Sequence, residues 1–523
     1  MTERDTFNFR HPAGHANIQP KSRREALLNR IAQFAAAILC LAGQAVAAPS
    51  WQGQAGNAQH TGIAPAAAQN LGHIAWTTPI DLDPQFSGGE LLIHYGSPVV
   101  TPGNTLILPV KTGAADGFRV EAHNPATGAV IWTLTNDYTL PSHDWTPIYG
   151  PVLTKQGRLY FPGVGGLIRY RDAPDSATGP TGGIAFYGNA AFIANPALYG
   201  GSVRISTPLT ADASGNIYFG FTVGAGGPKG MASGIARVGA FGQGTWITAA
   251  AAAGDAAITK VQTNCAPAIS ADQKTVYIAV SNGSAGYLLG LDATTLKPKY
   301  KVRLQIPGTT QDADINDDST ASPSIGPDGD VFMGVLAASF FDHHARGWLL
   351  HFDATLATGK IPGSFGWDNT PSIIPASVVP SYTGASEYLL MSKYNNYIEA
   401  GGDGHNKIAI LDPAASQNDE YSTAKIAVMK EVFTVTGPTQ FPGAPTGQVY
   451  EWCIDSAVVD PVTHSAFANS EDGHLYRWDL KTNTLSQSIL LNAPRPEAYT
   501  PTVVGVDGTV YAINNATFYA VRN

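Results

Sequence analysis

Cysteine and charged residues are both scarce in this chain. Its 523 residues include three cysteines, and Asp, Glu, Lys and Arg together make up 14% of the sequence. Three cysteines are too few for a disulfide framework. A hydrophobic content of 44% with so little charge excludes an intrinsically disordered chain. The net charge of −9 argues against nucleic acid as a partner, because binding to phosphates needs a surplus of Lys and Arg.

The signatures of several enzyme classes are also missing. The sequence has no Gly-x-Ser-x-Gly elbow, no His-Glu-x-x-His zinc motif, no phosphate-binding loop and no Cys-x-x-Cys-His haem motif. Hardly any stretch after residue 50 has helical periodicity. The 56 glycines and 36 prolines are instead typical of a turn-rich all-β chain.

A tandem repeat accounts for most of the sequence. Its plainest copy, Ser97 to Trp132, has four short β-type runs separated by turns, which predicts one four-stranded antiparallel sheet. A β-branched or small apolar opening, usually preceded by Pro, recurs about every 58 residues. The eight openings lie at Pro98, Pro151, Pro208, Pro267, Pro323, Pro371, Ala457 and Pro501.

Eight such sheets in tandem predict an all-β fold, an eight-bladed β-propeller with four-stranded antiparallel blades. The last copy ends at Asn523 after its third strand. Because Ile74 to Ile80 matches the fourth strand of the first copy, including its Trp, we expect Leu71 to Leu82 to close the ring from the N-terminal side. Residues 48–523 would then form a single propeller domain. Cys265 and Cys453 lie in distant copies and are expected to be free buried thiols.

Two segments resemble a known family. The stretch Ala122 to Trp132 (AHNPATGAVIW) and the entry Trp51 to Gly62 (WQGQAGNAQHTG) are similar to the repeats of quinoprotein-type propellers, which bind pyrroloquinoline quinone (PQQ) in some members. The resemblance covers roughly residues 50–523. It implies the propeller fold, and a function as either a PQQ- and calcium-dependent dehydrogenase or a cofactor-free scaffold.

Residues 1–47 have the features of a bacterial export signal. A basic flank precedes an apolar region from Ile31 to Ala42, which is too short to span a bilayer permanently, and Ala45 to Ala47 is a small-residue cleavage site. Ser22 to Leu27 (SRREAL) resembles a twin-arginine motif, although Ala26 replaces the usual aromatic residue. The sequence therefore predicts a periplasmic or secreted protein without a membrane span. An ordinary secretory signal remains the alternative.

The loops that lead into the first strand of each blade are rich in carboxylates, aromatic rings and imidazoles. In a propeller these loops surround the mouth of the central channel, where ligands commonly bind. We expect candidate ligand-binding residues there, with hydrogen bonding between blades as the alternative role. They are His94, Asp144, Trp145, Arg204, Asn264, Asp318, Trp367, Asp368, Glu451, Trp452, Asp455 and Glu497.

One acidic loop has partial calcium-site spacing. Asp312, Asp314, Asn316 and Asp318 occupy positions 1, 3, 5 and 7 of an EF-hand-like pattern. Asp317 stands where the motif needs Gly, and Pro323 where it needs Glu. The four residues are therefore predicted to form at most a calcium site completed by other blades, and a solvated acidic loop is the alternative.

Three functions fit these features. The preferred one is an exported propeller without catalytic activity that binds a small molecule, a glycan or a protein at the channel mouth. The second is a PQQ- and calcium-dependent dehydrogenase. The absence of adjacent cysteines, of a matching calcium triad and of the usual catalytic insertions argues against it. The third is a hydrolase or lyase acting on an extracellular polysaccharide.

Overall fold

The structure is a computed structural model that describes residues 50–114, 116–141, 143–339, 341–445, 447–495 and 500–523. Eight small antiparallel sheets form the blades of an eight-bladed β-propeller. The predicted fold class is therefore confirmed. The export signal predicted for residues 1–47 lies outside the described residues, as does Glu497. No helix among the described residues is both long and apolar enough to cross a membrane.

The chain reaches the first blade through β1 (His73–Pro79) and a short hairpin of β2 (Phe86–Ser87) and β3 (Glu90–Leu91). The first four blades then follow in chain order. Blade 1 contains β4 (Val99–Val100), β5 (Leu106–Lys111), β6 (Phe118–His123) and β7 (Val130–Thr135). Blade 2 contains β8 (Val152–Leu153), β9 (Leu159–Pro162), β10 (Leu167–Arg171) and β11 (Thr181–Ala185). Blade 3 contains β12 (Val203–Ile205), β13 (Thr210–Ala211), β14 (Ile217–Val223), β15 (Gly234–Val238) and β16 (Gly244–Thr248). Blade 4 contains β17 (Lys260–Val261), β18 (Ala268–Ile269), β19 (Thr275–Ser281), β20 (Gly286–Asp292) and β21 (Pro298–Arg303).

The second half of the ring repeats the arrangement. Blade 5 contains β22 (Ser324–Ile325), β23 (Val331–Val335) and β24 (Trp348–Phe352), and residues 359–363 hold its outer position through single bridges to β24. Blade 6 contains β25 (Ser372–Pro375), β26 (Tyr388–Tyr394), β27 (Lys407–Asn418) and β28 (Ala427–Thr436). Strand β29 (Ile454–Ser456) precedes blade 7, which contains β30 (Val458–Asp460), β31 (Ser465–Asn469), β32 (His474–Asp479) and β33 (Thr484–Leu490). Strand β34 (Thr500–Pro501) pairs with β29 in parallel, and blade 8 contains β35 (Val503–Val504), β36 (Val510–Asn514) and β37 (Thr517–Arg522).

Among the described residues, helical segments are few and lie between strands. Three short α-helices occur in and beside blade 3: α1 (Asn189–Ala194), α2 (Pro196–Ser202) and α3 (Ala249–Ala253). Single 3₁₀ turns are formed by Val164–Gly166, Asp342–Ala345, Ala376–Val378 and Ile398–Ala400. The 3₁₀ turn Ile398–Ala400 belongs to the long connection in blade 6.

The ring is closed by the N-terminal strand, as the sequence predicts. Strand β1 pairs antiparallel with β37 and supplies the fourth strand of blade 8, with His73 opposite Arg522 and Pro79 opposite Thr517. The indole of Trp76 lies 5.9 Å from the ring of Phe518, and its Nε1 donates a hydrogen bond to the Pro125 carbonyl at 2.8 Å. Trp76 therefore links blade 8 to the turn of blade 1.

A second N-terminal element, residues 51–69, crosses one end of the ring and is called the floor segment here. Its backbone exchanges hydrogen bonds with inner strands or adjoining turns of seven successive blades, at N···O distances of 2.7–2.9 Å. The bonds join Trp51 to Val100, Gln52 to Leu153, Ala58 to Ile269, Gln59 to Ile325, Thr61 to Ile373, Gly62 to Val459 and Gln69 to Gly508. The entry motif Trp51 to Gly62 thus has a structural role in covering this end of the channel.

Burial follows the position of a strand within its blade. The central strand β19 is buried along its whole length, because sheets of both neighbouring blades pack against it. The outer strand β33 alternates between exposed and half-buried residues, since one of its faces meets solvent.

In blade 4, the turn before the outer strand β21 is fixed by an Asx motif, in which the Asp292 carboxylate accepts hydrogen bonds from the backbone N–H groups of Thr294 and Thr295. Asp292 therefore stabilises the last turn of blade 4.

Candidate ligand-binding site at the channel mouth

A cavity of about 600 Å³ lies among the loops that lead into the inner strands. Six of the twelve residues predicted for the channel mouth line it, and they precede the inner strands of five different blades. These six are His94, Trp145, Asp318, Trp367, Asp368 and Glu451. Residues up to 357 positions apart in the sequence thus converge on one space, which only the closed ring brings together.

Three further predicted residues lie close to this cavity without lining it. The Asn264 Nδ2 atom is 3.4 Å from His94 Nδ1, while its Oδ1 accepts a hydrogen bond from the backbone N–H of Ile148 at 2.8 Å. Asp144 is exposed and near enough to Asp318 to raise the pKa of that carboxyl electrostatically. Asp455 is fully buried and its Oδ2 accepts a hydrogen bond from Gln54 Nε2 at 2.6 Å. Asp455 therefore connects the inside of the channel to the floor segment.

Two predicted residues point elsewhere. Arg204 lies within β12, and its guanidinium donates to the backbone carbonyls of Gly200, Gly201 and Val203. Trp452 is fully buried, where its ring is 5.4 Å from Tyr476 and its Nε1 donates to the Asn406 carbonyl at 3.2 Å. Both side chains serve packing and hydrogen bonding within the protein, which was the alternative role for these residues. Glu497 lies outside the described residues.

Aromatic rings form part of the cavity wall. The imidazole of His94 stacks on the indole of Trp145, with ring centroids 5.4 Å apart and an interplanar angle of 12°. Burial, followed by repulsion from the Lys393 ammonium, lowers the pKa of His94 to about 3. His94 is therefore neutral near pH 7 and presents a flat, uncharged surface beside Trp145. Trp367, Tyr397 and Phe441 contribute further rings to the lining.

Carboxylates dominate the polar part of the lining. Burial raises the pKa of Glu451 well above its usual value, and repulsion from Glu471, Glu399 and Glu90 adds to this effect. Burial also raises the pKa of Asp318, with smaller contributions from Asp144 and Asp317. The polar part of the described lining is therefore mainly acidic.

A buried cation lies below this lining. Lys393 is fully buried in β26, and burial lowers the pKa of its ammonium group to about 8, although the nearby Asp368, Glu451 and Asp455 oppose the shift. Burial raises the pKa of Asp455 to about 7, with the Gln54 hydrogen bond and the Lys393 charge acting in the opposite direction. One cation and several carboxyl groups therefore share the inside of the channel.

Three of the four residues of the predicted calcium loop line the cavity, and the fourth, Asp312, points elsewhere. Asp312 forms two hydrogen bonds of 2.7 Å with the Arg303 guanidinium, away from the cavity. Asp314, Asn316 and Asp318 line the cavity. The Asn316 side chain, however, donates a hydrogen bond to the Asp314 carboxylate and accepts one from the backbone N–H of Asp318. Within the described ranges, no group of three or more His, Cys, Asp or Glu side chains has an arrangement that could hold a metal ion. The partial EF-hand spacing is explained by an Asx turn and an ion pair.

Sequence reasoning missed several lining residues. They lie on a hairpin before blade 1, on the β26–β27 connection of blade 6, on the long segment between blades 6 and 7, and on the turn between β31 and β32 in blade 7. The missed polar residues are Glu90, Glu399, Asn406, Gln448 and Glu471. The one available signal was the length of the sixth copy, whose Gly- and Pro-rich stretches form a wall of the cavity.

The thiols follow the sequence expectation. Cys265 and Cys453 are both buried and are not joined in a disulfide. Burial raises the pKa of the Cys265 thiol to about 12. A thiol in this environment is protonated near neutral pH, so it is unsuited to nucleophilic catalysis.

Comparison with known proteins relates the chain to others through its fold. No protein-family model matches the sequence, and no curated protein sequence matches it. Among solved structures, a quinohemoprotein alcohol dehydrogenase from Comamonas testosteroni has a TM-score of 0.53 at 15% identity, covering 94% of this chain and 84% of that one. A europium-containing methanol dehydrogenase has a TM-score of 0.51 at 11% identity, covering 89% of both chains. BamB from Moraxella catarrhalis has a TM-score of 0.46 at 9% identity, covering 86% of this chain and 99% of BamB. The quinoprotein-type propeller fold suggested by the repeats is confirmed.

Proposed function

We propose that this chain, with its quinoprotein-type propeller fold, is an exported binding protein that takes up a small-molecule ligand at the channel mouth. The observation that carries the proposal is the cavity of about 600 Å³, lined by side chains from loops of five or more blades. A volume of this size suits a small organic ligand. The floor segment crosses the other end of the ring, so the cavity supports capture of a ligand rather than passage through a pore.

PQQ is the cofactor that the fold family implies, and the lining does not fit it. PQQ carries three carboxylate groups, so its binding site needs cations. No Lys or Arg belongs to the described lining of the cavity, which contains seven carboxyl groups. Lys393 is buried near Asp368 and Glu451 of the lining and near Asp455, so its single ammonium group is shared among several carboxyl groups. Repulsion between carboxylates therefore disfavours PQQ at this site.

A hydrolase or lyase acting on a glycan is the second candidate. Glu451 favours it, because burial raises the pKa of this carboxyl group well above its usual value, which is the direction that a general acid needs. The same cavity would then bind its ligand and convert it. Mass spectrometry of the ligand after incubation separates the two functions, since a binding protein leaves it unchanged.

Loss of the stacked indole tests the binding proposal. Ligands from a panel of amines, sugars and aromatic acids are titrated into the purified protein while tryptophan fluorescence and melting temperature are recorded. We expect Trp145→Ala to weaken binding of the best ligand at least tenfold, because an aromatic wall of the cavity is removed.

Trp246→Ala is the matched control. Trp246 is half-buried like Trp145, but it lies on β16 and packs against Phe221, away from the cavity. Equal loss of binding in both variants would contradict a site at the channel mouth. Failure of every panel member to bind the folded wild-type protein would argue against small-molecule binding and for a macromolecular partner.

A further inference from the structure

The cavity has an unbalanced charge that points to the ligand. Seven carboxyl groups line it, from Asp314, Asp318, Asp368 and four glutamates, and the described lining contains neither Lys nor Arg. Its one imidazole, that of His94, is neutral near pH 7. A lining of this kind repels anions and attracts cations, and the attraction is strengthened by the low dielectric of a partly enclosed space.

Six of the seven carboxyl groups fall into two groups, and the seventh, that of Asp368, acts on the buried Lys393 ammonium. Asp314 and Asp318 belong to the loop that leads into blade 5. Glu399, Glu451 and Glu471 belong to blades 6 and 7, and Glu90 lies on the hairpin before blade 1. Electrostatic interactions join members within each group: Asp318 acts on Asp314, and Glu90 and Glu399 act on Glu451. Two separate negative centres therefore face one cavity.

One of these carboxylates has a poorly satisfied acceptor atom. Oδ1 of Asp314 is buried and accepts no hydrogen bond of good geometry from the described residues, although the backbone N–H groups of Ile315 and Asn316 lie close to this carboxyl group. Its other oxygen accepts a hydrogen bond from Asn316 Nδ2 at the long distance of 3.4 Å. A buried carboxylate oxygen without a well-placed donor is costly, so this atom is suited to accept a hydrogen bond from a ligand.

Apolar and aromatic groups accompany both acidic groups. Trp145 and Trp367 present indole rings to the cavity, and Ile398 and Phe441, each about 40% exposed, lie at its edge. Indole faces attract ammonium groups, and apolar side chains suit methylene groups. The wall therefore combines sites for positive charge with surface for a hydrocarbon chain.

We infer that the ligand is a linear aliphatic dication, a diamine or polyamine, whose two ammonium ends bind the Asp314–Asp318 group and the Glu90–Glu399–Glu451–Glu471 group. This inference rests on the proposed binding function and specifies its ligand class. The methylene chain between the ammonium groups lies along the indole rings. No bond is made or broken in this step.

Isothermal titration calorimetry with matched probes tests the inference. 1,5-Diaminopentane and spermidine are compared with pentylamine, which has one charge, and with 1,5-pentanediol, which has none. We expect the dications to bind at least tenfold more tightly than pentylamine and the diol not to bind. We also expect affinity to fall as salt concentration rises. Equal affinity of diamine and monoamine would overturn the inference, as would binding of Ca²⁺ but of no amine.

Charge-neutralising variants locate the two ends. Asp318→Asn and Glu451→Gln are each expected to weaken diamine binding about tenfold and to change pentylamine binding less, because one of two charge contacts is lost. Glu420→Gln, an exposed carboxyl on the β27–β28 connection, is the control and leaves affinity unchanged. If neither cavity variant weakens diamine binding, the inference is wrong. If sugars or aromatic acids bind in a Trp145-dependent way while amines do not, the dication inference fails and the binding proposal survives.

Discussion

The two ends of the channel are built in different ways. At one end the floor segment, a single stretch of chain, makes regular backbone hydrogen bonds to seven blades. At the other end loops of unequal length bring carboxyl groups and indole rings from separate blades around a cavity. Backbone pairing depends little on side-chain identity, whereas the lining of the mouth depends on it entirely.

The backbone contacts of the floor segment therefore stabilise the ring, whereas the side chains of the channel mouth determine what it binds. Six blades offer backbone groups of their inner strands or adjoining residues to the floor segment, and blade 8 offers the Gly508 carbonyl of a turn. The loops before those strands differ in sequence and length, and a few backbone hydrogen bonds, such as those from His94 to Thr146 and from Thr370 to Asp455, join neighbouring loops. Substitutions in the floor should therefore affect stability, and substitutions in the mouth should affect binding.

Deletion of residues 71–82 should have the largest effect. It removes β1, leaves the edge of β37 unpaired and takes away the Trp76 contacts with Phe518 and the blade 1 turn. We expect the free energy of unfolding to fall by more than about 5 kcal/mol. A loss of this size leaves too little folded protein for a cooperative melting transition to be seen. Circular dichroism melting curves measure it.

The substitution Trp76→Ala removes only part of the same contacts, and we expect this variant still to fold. With Trp76 half-buried, we expect a loss of about 2 kcal/mol in the free energy of unfolding. A deletion variant that melts like the full chain would contradict closure of the ring through β1.

Gly62→Ala should have the next largest effect and tests the floor segment. Gly62 has φ +65°, and an added Cβ would lie 2.5 Å from Ser372 Oγ and 2.8 Å from the Ala457 carbonyl oxygen. The clash would disturb the 2.7 Å hydrogen bond from Ser372 to Ala457, which joins blades 6 and 7. We expect the free energy of unfolding, measured by urea denaturation, to fall by about 3 kcal/mol, while the ligand affinity of the folded protein stays unchanged.

The control for this substitution is Gly226→Ala. Gly226 also has a positive φ, +75°, but nothing lies within 4 Å of an added Cβ. Its expected cost is about 1 kcal/mol, the conformational part alone. Similar losses in the two variants would show that the close approach of the floor segment to blades 6 and 7 contributes nothing to stability.

The fold was predictable because the repeat is periodic, while the mouth was predictable only where it follows that period. In the loops that precede the inner strands, the predicted residues Trp145, Trp367 and Glu451 do line the cavity. Trp452 does not, because successive side chains of extended backbone point to opposite sides, so that Glu451 faces the cavity and Trp452 faces the core.

Departures from the repeat account for the remaining errors. Arg204 precedes the repeat opening of blade 3 but belongs to the added strand β12, which pairs with β14. The pairing of Asp312 with Arg303 likewise left the predicted calcium loop without its first ligand. Glu471 was missed because its turn connects the second and third strands of blade 7 and carries no signal tied to the period.

Asp455→Asn should have the smallest effect and examines the point where mouth and floor meet. Because burial raises the pKa of Asp455 from 3.8 to about 7, the folded protein keeps this proton at pH values where the unfolded chain has lost it. Stability from this group is therefore highest below pH 4, falls as pH rises and levels off above about pH 7. In the wild type this amounts to a loss of about 1–2 kcal/mol between pH 5.5 and 7.

The variant should lose that pH dependence while retaining the floor contact, since the carbonyl oxygen of the introduced amide can still accept a hydrogen bond from Gln54. Urea unfolding at pH 5.5, 6.3 and 7 measures the change, and Glu420→Gln should keep the wild-type slope because that carboxyl is exposed. A wild-type slope in Asp455→Asn would place the titrating group elsewhere among the carboxyl groups of the mouth. The carboxyl groups that line the cavity would then be the ones that lower the free energy of unfolding as pH rises, so that the residues proposed to bind the ligand would reduce the stability of the whole ring.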